Sequence, residues 1–242
     1  MTKDARPILS YSALLFDLDG VITPTADLHR AAWREMFSEF LDSRGAKPYE
    51  EQDYFDYLDG RRRDEGVAAL LTSRNIELEL GTPDDSAAQD TIHGLGARKN
   101  EKFLELLAQG IDAYEGSVDL LDAVAAVNPA PRIAIVSSSK NAKPVLEAAG
   151  LSDRFELIVD GIVASDNDLV GKPAPDTYVY AADQLGIPVA ESVVVEDATS
   201  GVASGKAGNF GLVVGVDRGA GAEALRKAGA DVVVSDLAEL LD

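Results

Sequence analysis

The 242-residue chain reads as an α/β protein: a parallel sheet with helices on both faces, interrupted after its first strand by an all-helical module. Three observations predict this. Short apolar runs without polar alternation recur in the second half, each followed by a helix-period pattern, as expected of strands buried on both faces. Between Asp42 and about Gly110 no convincing strand occurs. The first apolar run, Ala13 to Phe16, leads directly into Asp17-Leu18-Asp19-Gly20, a strand end with a turn-forming glycine.

Taken in order, the elements follow from local pattern. After Thr25, the residues Leu28, Ala31, Ala32, Met36, Phe37, Phe40 and Leu41 recur at helical spacing, and Asp27 suits the first turn. Glu65 to Arg74 and Ala87 to Gln109 read as further helices, separated by a loop at Gly81 to Asp85. Strands are predicted at Arg132 to Val136, Glu156 to Val159, Ser192 to Val195, Phe210 to Val216 and Asp231 to Val234. Helices are predicted from the end of RIAIV to Ala149, over Pro175 to Leu185, from Gly201, and around Glu223 to Lys227. The expected division is a core of residues 1–24 and 111–242 and a helical module of residues 25–110, with a ligand site in the cleft between them.

Composition narrows the function. Acidic residues outnumber basic ones by 42 to 22, a formal charge of −20, which disfavours nucleic acid and anionic membranes as partners. An anionic substrate would need a local concentration of cations, and the densest are Arg61-Arg62-Arg63 and Arg98-Lys99, both in the helical module. Cysteine is absent, which excludes thiol chemistry and a disulfide framework. No apolar run is long enough to span a membrane, and the first dozen residues lack a signal-peptide core, so a cytoplasmic protein is expected.

The chemistry-bearing stretches sit at strand ends. Asp17 and Asp19 are two apart at the end of a strand, so both carboxylates are expected to converge on one spot beyond its carboxyl end, where open α/β sheets bind ligands. Such a pair repels unless a metal ion or a shared proton offsets the charge, although DxDG alone also fits an ordinary Asp-Gly turn. Strand RIAIV ends in Ser137, Ser138, Ser139, Lys140 and Asn141, hydroxyls that suit either an anion or a helix cap. In GKPAPD, Lys172 precedes a helix start, an unfavourable place for a cation that carboxylates or a bound phosphate must offset. Strand SVVV runs into Glu196 and Asp197, which with Asp17 can build an all-oxygen site suited to Mg²⁺. GVDRGAG, Gly215 to Gly221, departs from a dinucleotide fingerprint and reads as a loop.

These four motifs, DLDGV, the serine after the second strand, GKPAPD and VVED, occur in the order seen in the haloacid dehalogenase superfamily, which the chain resembles from Asp17 to Asp197. The helical insert is similar to that superfamily's alpha-helical cap on a Rossmann-like core. Thr25, His29, Trp33, Gly60, Arg63 and the run Arg98-Lys99-Asn100 extend the resemblance to the β-phosphoglucomutase group.

The resemblance implies a role for each matching residue. Asp17 would be the nucleophile that forms an aspartyl phosphate, and Asp19 the general acid and base. Mg²⁺ would be held by Asp17, the Asp19 carbonyl and Asp197, with Glu196 as a ligand or beside one. Ser137, Ser138 and Lys172 would bind the transferring phosphoryl group. Arg63 would grip the second phosphate of the sugar. Lys99 and His29 would reach the site as the cap closes, and Thr25, Gly60, Arg61, Ser139, Lys140 and Asn141 would complete the pocket. Trp33 reads as core. The group carries an acidic residue where this chain has Pro24 and a lysine where it has Asp59, a charge that Arg61 or Arg62 would offset. The implied activity is a mutase interconverting β-glucose 1-phosphate and glucose 6-phosphate. The alternatives are a phosphatase of small sugar phosphates and a non-catalytic sugar-phosphate binding module. A monomer or weak dimer is expected.

Overall fold

The computed structural model describes residues 7–59 and 61–241. Six strands form one sheet: β1 (Ala13–Phe16), β2 (Arg132–Val136), β3 (Leu157–Val159), β4 (Ser192–Glu196), β5 (Leu212–Val216) and β6 (Val232–Val234). The helices are α1 (Thr25–Ser43), α2 (Glu51–Asp53), α3 (Arg63–Ser73), α4 (Ile92–Leu107), α5 (Glu115–Ala126), α6 (Ala142–Ala148), α7 (Gly161–Asp166), α8 (Asp176–Gln184), α9 (Thr199–Ala207) and α10 (Ala222–Ala228). All strand pairings are parallel, in the order β3-β2-β1-β4-β5-β6. This is the α/β architecture predicted from the alternation of apolar strands and helices.

The sequence explains the strand order. Every residue of β1, β4 and β5 is buried, because these strands are apolar on both faces and can only sit inside the sheet. The outer strands β3 and β6 are shorter and partly exposed. Ala13, Leu15, Val194 and Val213 pack with Tyr178, Ala181 and Leu185 of the α8 segment and Val202 of α9 into one core. Register then places the chemistry. Phe16 pairs with Ile135 on one side and Val195 on the other, so the residues after β1 stand level with the carboxyl ends of β2 and β4.

The chain folds as two compact units, Met1–Pro24 with Ile111–Asp242, and Thr25–Gly110. The second unit contains only helices among its described residues. Its core joins Trp33, Phe37, Phe40 and Leu41 of α1 to Leu70 of α3 and Leu95 of α4. No described helix is long and apolar enough to cross a membrane.

Several boundaries differ from expectation for local reasons. The helix predicted from Ala87 begins at Ile92, because the Thr91 side chain accepts from the Gly94 N–H and caps it there. The helix after GKPAPD begins at Asp176, so Lys172 lies in the preceding turn and away from the helix start. Helices α5 and α7 and the turn of α2 with its π-helical continuation Tyr54–Leu58 were not predicted. The latter two are each shorter than two helical turns, too short for a 3.6-residue period to register.

Candidate active site

Strand β1 ends at Phe16, so Asp17 and Asp19 are placed by the turn that follows and not by a continued pleat. The Asp17 N–H extends the ladder to the Val195 carbonyl at 2.9 Å. The chain then folds back: Gly20 N–H donates to Thr23 O at 2.8 Å, and Ile22 N–H to Leu18 O at 3.0 Å. Gly20 holds φ +85°, and a Cβ there would collide with the Asp197 carboxylate. Only glycine satisfies both demands.

A buried charge cluster forms on this turn. Lys172 Nζ lies 2.5 Å from Asp17 Oδ1 and 2.6 Å from Glu196 Oε1, and it donates to the Val136 carbonyl at 3.0 Å. The offset expected for this lysine is thus carboxylate. Glu196 is 1 % exposed. The hydroxyl of Tyr178, on α8, donates to Glu196 Oε1 at 2.9 Å, while its ring lies 5.0 Å from the lysine ammonium. The Glu196 carboxylate occupies the space beside Gly201 of α9, where any Cβ would overlap it.

Electrostatics follow from the burial. Desolvation pushes the Asp17 carboxyl well up; Lys172 opposes this, and Glu196 and Asp19 add to it. Burial works against the charge on Lys172, but attraction to Asp17 and Glu196 and the hydrogen bonds to both outweigh it, and the ammonium is raised. Burial, then Glu196 and Asp17, keep the Tyr178 phenol protonated and able to donate.

One oxygen from each of Asp17, Glu196 and Asp197 lies within 4.8 Å of the others. This all-oxygen set, with Asp197 seated against Gly20, fits a hard divalent cation. The Asp19 carboxylate is not in that group: its Oδ2 accepts from Ser137 Oγ at 3.3 Å. Ser137 Oγ also accepts from Ser139 N–H at 3.0 Å, and Ser139 Oγ from Asn141 N–H at 3.1 Å. The serine run therefore orders its own loop before the seven-residue α6, and Ser139 O receives the Gly161 N–H. Ser138 and Lys140 lie in the same loop, partly buried and exposed, respectively.

Within the helical unit, Lys99 is 2 % exposed. Its ammonium meets His29 Nδ1 and lies 5.0 Å from the Trp33 ring and 4.9 Å from the Phe103 ring. His29 stacks on Phe103 with ring centroids 4.2 Å apart. Trp33 is core, as expected, and it also faces Lys99. Arg63 donates to Asn100 Oδ1 at 2.8 Å, and burial lowers its pKa. The cationic runs are divided. Arg62 pairs with Asp64 at 3.5 Å and Arg98 with Asp90 at 3.1 Å, whereas Arg61 is exposed. Arg30 donates to the Asp27 carboxylate and lies over the Tyr54 ring at 5.8 Å. Thr25 is buried at the start of α1. Gly60 lies outside the described residues.

Two residues that sequence reasoning left out belong to this geometry. Tyr178 holds Glu196, and Arg218, in the loop after β5, donates from Nε to the Gly20 carbonyl at 3.2 Å. Neither carried a signal in the sequence: Tyr178 lies among apolar helix positions, and Arg218 in a loop.

The haloacid dehalogenase-like hydrolase family model matches residues 11–209. A β-phosphoglucomutase of Mycobacterium bovis is 46% identical over 240 residues, 95% of this chain and 91% of the relative. A β-phosphoglucomutase of Bacillus subtilis is 32% identical over 94% of this chain and 91% of its own length. Among solved structures, a β-phosphoglucomutase of Clostridium difficile superposes with a TM-score of 0.77 at 28% identity, covering 95% of this chain and 93% of that one. With a family match running from just before β1 through α9, this chain is an enzyme, mutase or phosphatase, of the haloacid dehalogenase-like hydrolase family.

Proposed function

We propose that the enzyme is a Mg²⁺-dependent phosphosugar mutase that converts β-glucose 1-phosphate to glucose 6-phosphate by way of glucose 1,6-bisphosphate. The observation that carries this reading is the pair of carboxyl groups on one turn with distinct partners: Asp17 against Lys172, and Asp19 against Ser137. Asp17 faces the lysine that would bind the transferring group, and Asp19 faces a hydroxyl, a partner suited to a proton-exchanging group. The likeness to β-phosphoglucomutases supplies the substrate class.

Asp17, Asp197 and the Asp19 carbonyl would hold the metal, with Glu196 beside them; when bound, it offsets repulsion between carboxylate and phosphate. In the cycle, phosphorylated Asp17 gives its phosphoryl group to O6 of β-glucose 1-phosphate while Asp19 takes the O6 proton. The bisphosphate turns round. Asp17 then attacks the phosphorus on O1, the P–O1 bond breaks, and Asp19 returns the proton to O1. Phosphoryl groups and protons balance over the cycle. Lys172, Ser137 and Ser138 stabilise the transferring group.

The helical unit is the cap of this reading. Arg63 binds the distal phosphate, its fork already held by Asn100, and Lys99 and His29 approach the sugar. Arg61, Thr25, Gly60, Ser139, Lys140 and Asn141 complete the substrate contacts, and the chain works in the cytoplasm. Asp59, an anion in place of a lysine, favours the second reading, a phosphatase in which water takes the phosphoryl group from Asp17.

Phosphorus NMR of β-glucose 1-phosphate with Mg²⁺ and a trace of bisphosphate separates the two. The mutase yields glucose 6-phosphate without inorganic phosphate. Inorganic phosphate as the main product assigns the phosphatase, and no conversion of this sugar overturns the substrate.

A further inference from the structure

The loop after β5 was legible only as a loop, yet one of its side chains reaches the catalytic turn. We infer that Arg218 is a positioning residue: it clamps the Gly20 carbonyl and so keeps the Asp17–Gly20 turn packed on the Asp197 carboxylate. This rests on the assignment of Asp17, Asp19 and Asp197 to the reaction.

The guanidinium reaches three other segments. Nε donates to Gly20 O at 3.2 Å, and one terminal nitrogen donates to Ser235 O at 3.0 Å. The other lies 3.5 Å from Asp236 Oδ2, and the guanidinium carbon lies 3.8 Å from the Tyr114 ring centroid. Tyr114 in turn donates its N–H to Ile22 O at 3.0 Å, and Ser117 Oγ donates to Val21 O at 2.7 Å. Three successive carbonyls, those of Gly20, Val21 and Ile22, are therefore each held from outside the turn.

The arginine is itself held. Asp217 Oδ1 accepts from Gly219 N–H at 3.1 Å and from Gly221 N–H at 3.0 Å, and Asp217 N–H donates to Val234 O at 2.8 Å. These bonds fix the backbone on both sides of Arg218. Its Nε is the only one of these contacts that acts next to Asp19. Gly20, at φ +85° and without a Cβ, has the backbone freedom to drift once that bond is lost. Drift at Gly20 moves the Asp19 peptide on one side and releases Asp197 on the other. Partners of this kind, one bond removed from a metal or catalytic group, typically change affinity or activity by roughly 10–100-fold.

The test compares Arg218→Ala, Arg218→Lys and Leu185→Ala, the last a core truncation at the far end of α8 from GKPAPD. Mg²⁺ binding is read by titration calorimetry, stability by thermal melting, and turnover with β-glucose 1-phosphate. Arg218→Ala is expected to weaken Mg²⁺ binding and lower kcat by roughly 10–100-fold, with a smaller change in KM. Added guanidinium should restore part of both, and Arg218→Lys, which keeps a donor, should fall between. Leu185→Ala should melt earlier yet bind Mg²⁺ as the natural chain does. If Arg218→Ala does not fold, Arg218→Lys makes the same comparison. Unchanged Mg²⁺ binding in the Arg218 variants, or an equal loss in Leu185→Ala, overturns the inference alone. A natural chain that neither binds Mg²⁺ nor transfers phosphoryl groups overturns the proposed function instead.

Discussion

Tyr178 donates its hydroxyl to Glu196 Oε1 at 2.9 Å, the same oxygen that Lys172 Nζ meets at 2.6 Å. The oxygen thus has two donors on one side. The carboxylate is fixed against Gly201, and Glu196 anchors Lys172 opposite Asp17. Position in this site is set by hydrogen bonds between side chains from the turn after β1, from β4, from α8 and from the GKPAPD turn.

Tyr178→Phe keeps the ring beneath Lys172 and removes only the donor. A hydrogen bond to a charged group is worth about 1.5–3 kcal/mol, so the variant should melt earlier by that equivalent. Glu196 then has one donor fewer and greater freedom to rotate. Turnover should fall while KM for the sugar phosphate changes less; melting and steady-state kinetics check the two halves.

Lys172→Met leaves Asp17 and Glu196 buried without their shared cation. Breaking a buried pair in this way costs about 3–5 kcal/mol, and activity should be lost with it. The sign with pH is defined. Lys172 is raised above its ordinary value of 10.5, so its contribution is full at neutral pH and fades only as pH rises past that value. On the acid side it fades as Asp17, whose carboxyl burial holds well above its ordinary value, takes up a proton. The stability gap between natural chain and variant should therefore narrow as pH falls below neutral, starting above the ordinary carboxyl range, which denaturant titrations across pH would show.

The sheet was legible because its strands are buried on both faces, and an unbroken run such as Leu14-Leu15-Phe16 or Val193-Val194-Val195 has few other places to go. Asp17 and Glu196 were legible because charged residues follow those runs directly, and Lys172 because a cation in GKPAPD beside a helix start needs an offset. Tyr178 was not, since an aromatic inside an apolar helix face looks like packing until its hydroxyl is placed. Arg218 was hidden for a different reason: its partner is a backbone carbonyl 198 positions earlier, and no pattern in the sequence marks a carbonyl as needing a donor. The cationic runs misled in part. Arg62 and Arg98 look like Arg63 and Lys99 in sequence, but nearby Asp64 and Asp90 take them.

Lys99 offers a separation of stability from function. Its ammonium is buried between Trp33 and Phe103 and against His29, an expensive place for a charge. Lys99→Met retains length and volume and removes the buried charge. Melting of the variant measures what the buried charge costs or contributes to the fold. On the proposed function, mutase turnover should drop. Retained stability with retained turnover would assign Lys99 to packing.

On the proposed function, Asp17 carries the phosphoryl group. Intact-mass and peptide mass spectrometry, after brief exposure to Mg²⁺ and acetyl phosphate and an acid quench, measures this directly. One added phosphoryl group is expected, on the peptide containing Asp17, present in the natural chain and absent from Asp17→Asn. A phosphoryl group on Asp19 or a serine, or an adduct that persists in Asp17→Asn, would contradict it.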